Sequence, residues 1–401
     1  MTNTTETSKT AYTLYDRPGY FRQLASEISR TVKGDRVAVM TMPIDPREPL
    51  VMEIIQELCA AATRGVRVIV AVDAISFMIT TRHEFKLGPL WFHGAVHEKK
   101  GTPANLLEDF PMDAGLSHLK LTPPFRDMYN QLELIRKAGG TYRITNPPTR
   151  PFTLPVAGRS HIKLAVVNDV VKLGGCNLED SADLDIMASS KQPNLANFLF
   201  NVADSIVQSD SVRGALYDTD IHFLSPSPAG ITNPFDLFFD AGVPKQSRIL
   251  EEALKFIDDS REWLFFTCQY FPGGIVGKHL AQALARGVQV HVVFSPPSTH
   301  GYEQLGHYVY NTAQKLRLSR HLFKHQLPKG FPILHAKLLA NEQGAMLGSH
   351  NFTTQGVRLG TAEIALHVHN PTFSRQTVEF VNSILPATHR FDYESTKSAK
   401  L

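Results

Sequence analysis

Two segments of this chain repeat one another, and that duplication limits what the whole can fold into. The first, HIKLAVVNDVVKLGGCNLED, starts at His161; the second, HAKLLANEQGAMLGSHNFTT, starts at His335. Both read His-x-Lys, an apolar run, a polar turn, a second apolar run and Gly-Gly/Ser-x-Asn. In each, the first Gly of the pair lies thirteen positions after the His. A lone His-x-Lys carries almost no information, whereas two with matched followers define a repeated unit.

The duplication extends upstream. In the first half YFRQLASEISRTV leads into VAVMTM, and MEIIQELCAAATRGV into VRVIVAVDA. In the second, ILEEALKFIDDSREW leads into LFFTCQYF, and GKHLAQALARGV into VQVHVVFSP. The corner Arg64-Gly65-Val66 matches Arg286-Gly287-Val288, with Gly read as a helix C-cap. Helix alternating with strand predicts an α/β unit in each half, with a largely parallel sheet. A length of 401 residues also favours two domains. The expected organisation is a first repeat over 15–205, a linker and connecting segment over 206–244, and a second repeat over 245–390. Polar tails are expected at 1–14 and 391–401. From the corner to the His is 97 residues in the first half and 49 in the second. The surplus, at 76–126, reads as a rim or lid loop.

Composition narrows the function classes. The apolar fraction is 43%, and the net charge of +3 lacks the strong basicity of a nucleic-acid binder. Three cysteines without metal-ligand spacing point to a reducing compartment rather than a disulfide framework. The polar N-terminus has no signal-peptide pattern. The longest apolar run, 66–79, is broken by Asp73 and too short to span a bilayer. A cytoplasmic location is expected, with any membrane contact peripheral.

The repeated segment has a definite chemistry. On a strand, His-x-Lys puts imidazole and ammonium on one face. Asn177 and Asn351 follow at Gly-containing turns, where the backbone can approach a ligand closely. Lys163, Lys337 and the two amides would clamp phosphate oxygens. Gly175 through its backbone and Ser349 through its hydroxyl are further candidates for gripping phosphate. With two halves facing each other, one His attacks phosphorus and the other protonates the leaving oxygen. The lysines supply the charge neutralisation, so neither metal nor cofactor is expected. A nucleophilic His needs an acceptor on its other ring nitrogen. Asp185 and Glu363, in strand-like runs just after each Asn, are the candidates.

This pattern resembles the phospholipase D superfamily with its paired His-x-Lys-x4-Asp motifs, over nearly the whole chain. The resemblance implies two fused α/β/α sandwich repeats related by pseudo-twofold symmetry, with one active site at their interface. It implies metal-independent phosphodiester hydrolysis or phosphatidyl transfer through a phosphohistidine, with His161 as nucleophile and His335 as acid/base. The followers resemble the phospholipase D and cardiolipin synthase-like branch, so a phospholipid is the expected substrate and a nucleic acid the alternative. A monomer is expected, since two repeats complete one site. The chain departs from the pattern at Asn168 and Glu342, where the family has Asp.

Other features have plainer readings. His93/His97 and His321/His325 have i,i+4 spacing but no evident acidic or Cys partner for zinc. The basic stretch 315–329 reads as a solvated helix face or an anion grip. The apolar cluster 234–239, PFDLFF, reads as packing between domains rather than a lipid-docking surface.

Overall fold

The computed structural model describes residues 11–73, 79–81, 84–87, 123–145, 158–179, 182–208, 220–226, 232–296, 309 and 312–393. Two large sheets, one per repeat, organise it. The first contains β1 (Tyr12–Tyr15), β2 (Arg36–Thr41) and β3 (Arg67–Asp73). After a separate hairpin, β4 (Ile79–Thr81) and β5 (Glu84–Leu87), it continues with β6 (Thr141–Thr145), β7 (Leu164–Val167), β8 (Val170–Gly174) and β9 (Met187–Lys191). The second contains β10 (Asp220–Pro226), β11 (Thr232–Ala241), β12 (Trp263–Cys268), β13 (Gln289–Phe294), β14 (His325–Gln326), β15 (Leu338–Asn341), β16 (Ala345–Gly348) and β17 (Ala362–Val368). Strand orders are β1-β9-β8-β7-β2-β3-β6 and β10-β11-β17-β16-β15-β12-β13-β14.

The sheets are mixed, which corrects the expectation of largely parallel ones. Only β2–β3, β3–β6, β12–β13 and β13–β14 run parallel. Helical crossovers such as α1 (Arg17–Ser29) and α2 (Pro49–Thr63) precede those strands. The His-x-Lys segments instead fold as tight hairpins, β7–β8 and β15–β16, and short turns can only join antiparallel strands.

The Arg-Gly-Val corner explains itself. Gly65 and Gly287 have φ of 85° and 86°, the left-handed conformation that closes a helix. Arg64 reaches the carbonyls of Ile28 and Thr31 at the end of α1. Arg286 reaches Ile257 near the end of the helix Arg248–Asp259. In both repeats the Arg thus covers orphan carbonyls of the preceding helix.

Each sheet is covered on both faces. Buried residues of α1 and α2 pack on one face of the first sheet, and the helices Arg248–Asp259 and Gly274–Ala285 on one face of the second. The opposite faces meet in one core shared by both repeats, with the helices Pro193–Gln208 and Pro371–Ile384. The stretch 206–244 carries β10 and β11, the outer strands of the second sheet. Within it Phe235, Leu237 and Phe239 are fully buried in the shared core, as the packing reading of 234–239 anticipates. Tyr12 and Phe391, assigned to the tails by sequence, are also core residues, because β1 pairs with β9 and Phe391 stacks on Phe265. Most of 76–126, including His93 and His97, lies outside the described residues. Among those described, no helix is long and apolar enough to cross a membrane.

Candidate active site

His161 and His335 each sit just before a hairpin strand, β7 and β15, in extended chain at the seam between repeats. The seam is a pair of short cross-repeat bridges, Ser160 with Ala362 and Leu184 with Leu334. The amide of His161 donates to Ala362 O at 2.8 Å, and that of His335 to Leu184 O at 2.7 Å. Each bridge therefore lies next to one His from one repeat and one carboxylate from the other. His161 Nδ1 is 2.9 Å from Glu363 Oε2, and His335 Nδ1 is 2.6 Å from Asp185 Oδ2. The two rings lie edge to face, nearly perpendicular, with centroids 6.4 Å apart.

Asp185 and Glu363 are buried acceptors. Burial by itself would raise both carboxyls, but charged partners win. His335, Lys337 and Arg17 hold Asp185 far below its ordinary range, and His161, His350 and Lys163 bring Glu363 down to about 2. Ionised carboxylates only accept, so each imidazole carries its proton on Nδ1 and leaves Nε2 bare. Burial lowers both histidines, and Lys337 adds to the depression of His335, so the resting rings are neutral.

Lys163 and Lys337 are fully buried. Each ammonium donates to the carbonyl of its own His, Lys163 Nζ to His161 O at 2.7 Å and Lys337 Nζ to His335 O. Among the described residues neither has a carboxylate within salt-bridge distance. Burial depresses them to about 7 and about 8, with Glu363 and Asp185 respectively opposing. An arriving anion would restore full protonation and find N–H bonds free to grip it.

The structure separates the remaining candidates. Asn177 Nδ2 donates to Glu179 at 2.7 Å, and among the described residues the buried Oδ1 atoms of Asn177 and Asn351 find no partner. The groups expected to grip phosphate at Gly175 and Ser349 have partners within the protein. The Gly175 amide is bonded to Ile186 O, and the side of Gly175 where a Cβ would project is filled by the Asp185 carboxylate. The Ser349 hydroxyl donates to Glu363 and accepts from Ile364 N, so it steadies the carboxylate instead. The preceding glycines, Gly174 and Gly348, are required by close approach: a Cβ there would collide with the carbonyls of Ile186 and Ile364.

Asn168 and Glu342 lie at the far ends of the strands that start at the histidines. Asn168, at φ 52°, accepts from Arg36 N at 3.1 Å, and Glu342 accepts from Arg261 N at 2.9 Å. Both tie a hairpin turn to the start of the neighbouring strand, β2 or β12. The departure from Asp thus falls on a structural tie in each repeat.

Sequence reasoning missed the supports behind the site. Arg17, the first residue of α1, is fully buried and contacts Asp183 at 3.2 Å, Asp185 at 3.0 Å and His335 Nδ1 at 3.4 Å. Nothing in YDRPGYF marks it out. Asp73 accepts from Ser160 N at 2.6 Å, and Ser295 Oγ from Leu334 N at 2.7 Å. Each anchors the residue before a catalytic-candidate His from the end of a parallel strand. Only superposing the halves would have matched these two positions.

Comparison with known proteins agrees with this architecture. Residues 253–385 match the family described as "Cardiolipin synthase, PLD-like domain". No curated protein matches the chain. Among solved structures, phosphatidylserine synthase from Haemophilus influenzae Rd KW20 is similar at 14% identity and a TM-score of 0.62, over 94% of this chain and 86% of that one. A polyphosphate kinase from Porphyromonas gingivalis matches at 13% identity and a TM-score of 0.48, over 92% of this chain and 49% of that one. A phospholipase D family member, Nuc, from Salmonella typhimurium matches at 21% identity and a TM-score of 0.29, over 37% and 92% respectively. The second repeat thus has the sequence of a phospholipase D-like domain, and the chain as a whole has a fold similar to that of the phosphatidylserine synthase structure.

Proposed function

We propose that the chain is a phospholipid phosphodiesterase or phosphatidyltransferase that works through a phosphohistidine without a metal. The observation that carries this reading is the pair of imidazoles brought together across the seam, centroids 6.4 Å apart, each held through Nδ1 by a carboxylate of the other repeat. A phosphorus atom between them would have a bare nitrogen on either side, in line for attack and departure.

His161 Nε2 forms the P–N bond as the P–O bond to the leaving alcohol breaks. The anion draws a proton onto His335 Nε2 as it binds, and His335 gives that proton to the leaving oxygen. In the second step neutral His335 takes a proton from water or an alcohol, the new P–O bond forms, and the P–N bond breaks. Lys163 and Lys337 neutralise the phosphate oxygens throughout. Asp185 and Glu363 fix each tautomer and stabilise the imidazolium when it forms. The matched family and the phosphatidylserine synthase neighbour, together with the near-neutral net charge, support lipid over nucleic acid. A peripheral encounter with the membrane suits a chain in which no described helix could cross one.

The test is incubation with vesicles of phosphatidylglycerol or phosphatidylcholine, and separately with single-stranded DNA. Lipid turnover is expected, with an acid-labile phosphoryl adduct on the protein that is absent in His161→Ala. Turnover should persist in a chelator at temperatures where the chain stays folded. Equal turnover by His161→Ala would remove the nucleophile, and cleavage of DNA alone would overturn the lipid assignment.

A further inference from the structure

We propose that Asp236, His367 and His369 form a binding site for a divalent transition metal, zinc above all, at the end of β17 away from the catalytic histidines. One ligand atom from each of the three lies within 4.8 Å of the others. Asp236 is directly opposite His367 in the β11–β17 ladder, and His369 follows two positions later, so the three gather on one face of two paired strands. His369 Nε2 and Asp236 Oδ2 are 2.6 Å apart, sharing a proton that a metal ion would replace. The His367 and His369 rings lie with centroids 4.0 Å apart. Tetrahedral zinc with bonds of roughly 2.0–2.1 Å separates its ligands by roughly 3.3 Å, so the Asp236–His369 pair opens slightly and any wider separation closes, changes that small side-chain rotations deliver.

A second feature points the same way. Glu252, on the helix Arg248–Asp259, accepts from His367 Nδ1 at 3.1 Å. Its other oxygen faces Lys255 at 3.7 Å, which leaves Glu252 as an orienting carboxylate rather than a ligand. A carboxylate on Nδ1 fixes the tautomer that presents Nε2 to a metal. His367 is buried and His369 exposed, so an ion has both a fixed anchor and a route in. Two imidazoles and one carboxylate leave the fourth position to water. The donor set favours zinc or its transition-metal neighbours over magnesium or calcium, which demand oxygen ligands.

The location gives the ion a mechanical consequence. His367 is four residues from Glu363 on the same strand face, roughly 13 Å along β17, and Glu363 holds His161. An ion would tie β11, β17 and, through Glu252, the helix above them. The site is separate from the phosphodiester chemistry.

The test is calorimetric titration of the full chain, stripped with chelator, against zinc and magnesium, with melting followed in parallel. One zinc per chain at micromolar affinity or tighter, no magnesium binding, and a melting temperature raised by a few degrees in excess zinc are expected. His369→Ala, at an exposed position, and Asp236→Asn should each weaken zinc roughly tenfold or more, while His321→Ala leaves it unchanged. Cobalt should give the visible absorption of a tetrahedral site, lost in His369→Ala. Wild-type chain that binds zinc no better than about 100 μM, or a His369→Ala variant that binds as tightly as wild type, overturns the proposal.

Discussion

At the scale of single residues the site is a balance of buried charge. Asp185 and Glu363 stay ionised inside the seam because imidazole, ammonium and guanidinium groups surround them. The two repeats reach that balance differently. Asp185 is steadied by Arg17, whereas Glu363 is steadied by the Ser349 hydroxyl and faces His350. Gly175 and Ser349 occupy matching positions: glycine leaves room for the Asp185 carboxylate, while serine offers Glu363 a hydrogen bond. The depressed Glu363 makes stability depend on pH with a definite sign. Its folded value, about 2, lies below that of the unfolded chain. Its contribution is therefore complete above the unfolded carboxyl value, about 4.3, and is lost as pH falls toward the folded one. Urea unfolding of wild type and Glu363→Gln from pH 7 to 2.5 should show a gap of about 3 kcal/mol at neutral pH that narrows in acid. A gap that stays constant with pH would contradict the charged state assigned to Glu363.

At the scale of elements, each half is a crossover unit feeding a hairpin. The hairpin turn is secured by the residue at the place of the motif Asp. Asn168 holds a left-handed conformation and accepts from the start of β2; Glu342 does the equivalent for β12. Asn168→Ala removes the acceptor and puts a Cβ-bearing residue without a compensating amide at positive φ. It is expected to lower stability by about 1–2 kcal/mol in urea unfolding, with kcat unchanged within about twofold. Asn168→Asp, which keeps the acceptor, should sit close to wild type in both measurements. A large loss of kcat in Asn168→Ala at full folding would place this position in the chemistry instead of the scaffold.

At the scale of the whole molecule, the candidate site forms only because the repeats exchange partners. His161 comes from the first repeat and Glu363 from the second; His335 comes from the second and Asp185 from the first. The exchange rests on the bridges at Ser160–Ala362 and Leu184–Leu334 and on the core shared by both sheets. Double-mutant cycles on unfolding free energy read this directly. His161→Gln with Glu363→Gln should couple by about 1 kcal/mol or more, whereas His161→Gln with Asp185→Asn should add within about 0.5 kcal/mol. Coupling within a repeat and none across the seam would refute the exchanged pairing.

The sequence by itself determined the duplication, the two His-x-Lys units, the Arg-Gly helix ends and the carboxylates that follow, because each is written as a local pattern with fixed spacing. Hairpins, caps and strand alternation are set by neighbours a few residues apart, so they are legible in a string. The tertiary structure decided the mixed sense of the sheets, the conversion of 206–244 into strands, and which carboxylate serves which His. It also decided that Arg17, Asp73 and Ser295 support the site and that the Gly175 amide and the Ser349 hydroxyl find partners within the protein. Several of those outcomes rest on residues far apart in the chain, such as Asp73 with Ser160, 87 positions apart, and His161 with Glu363, 202 apart. Contacts at that separation leave no periodicity in the sequence; they come into being only when both repeats bury their apolar faces against each other.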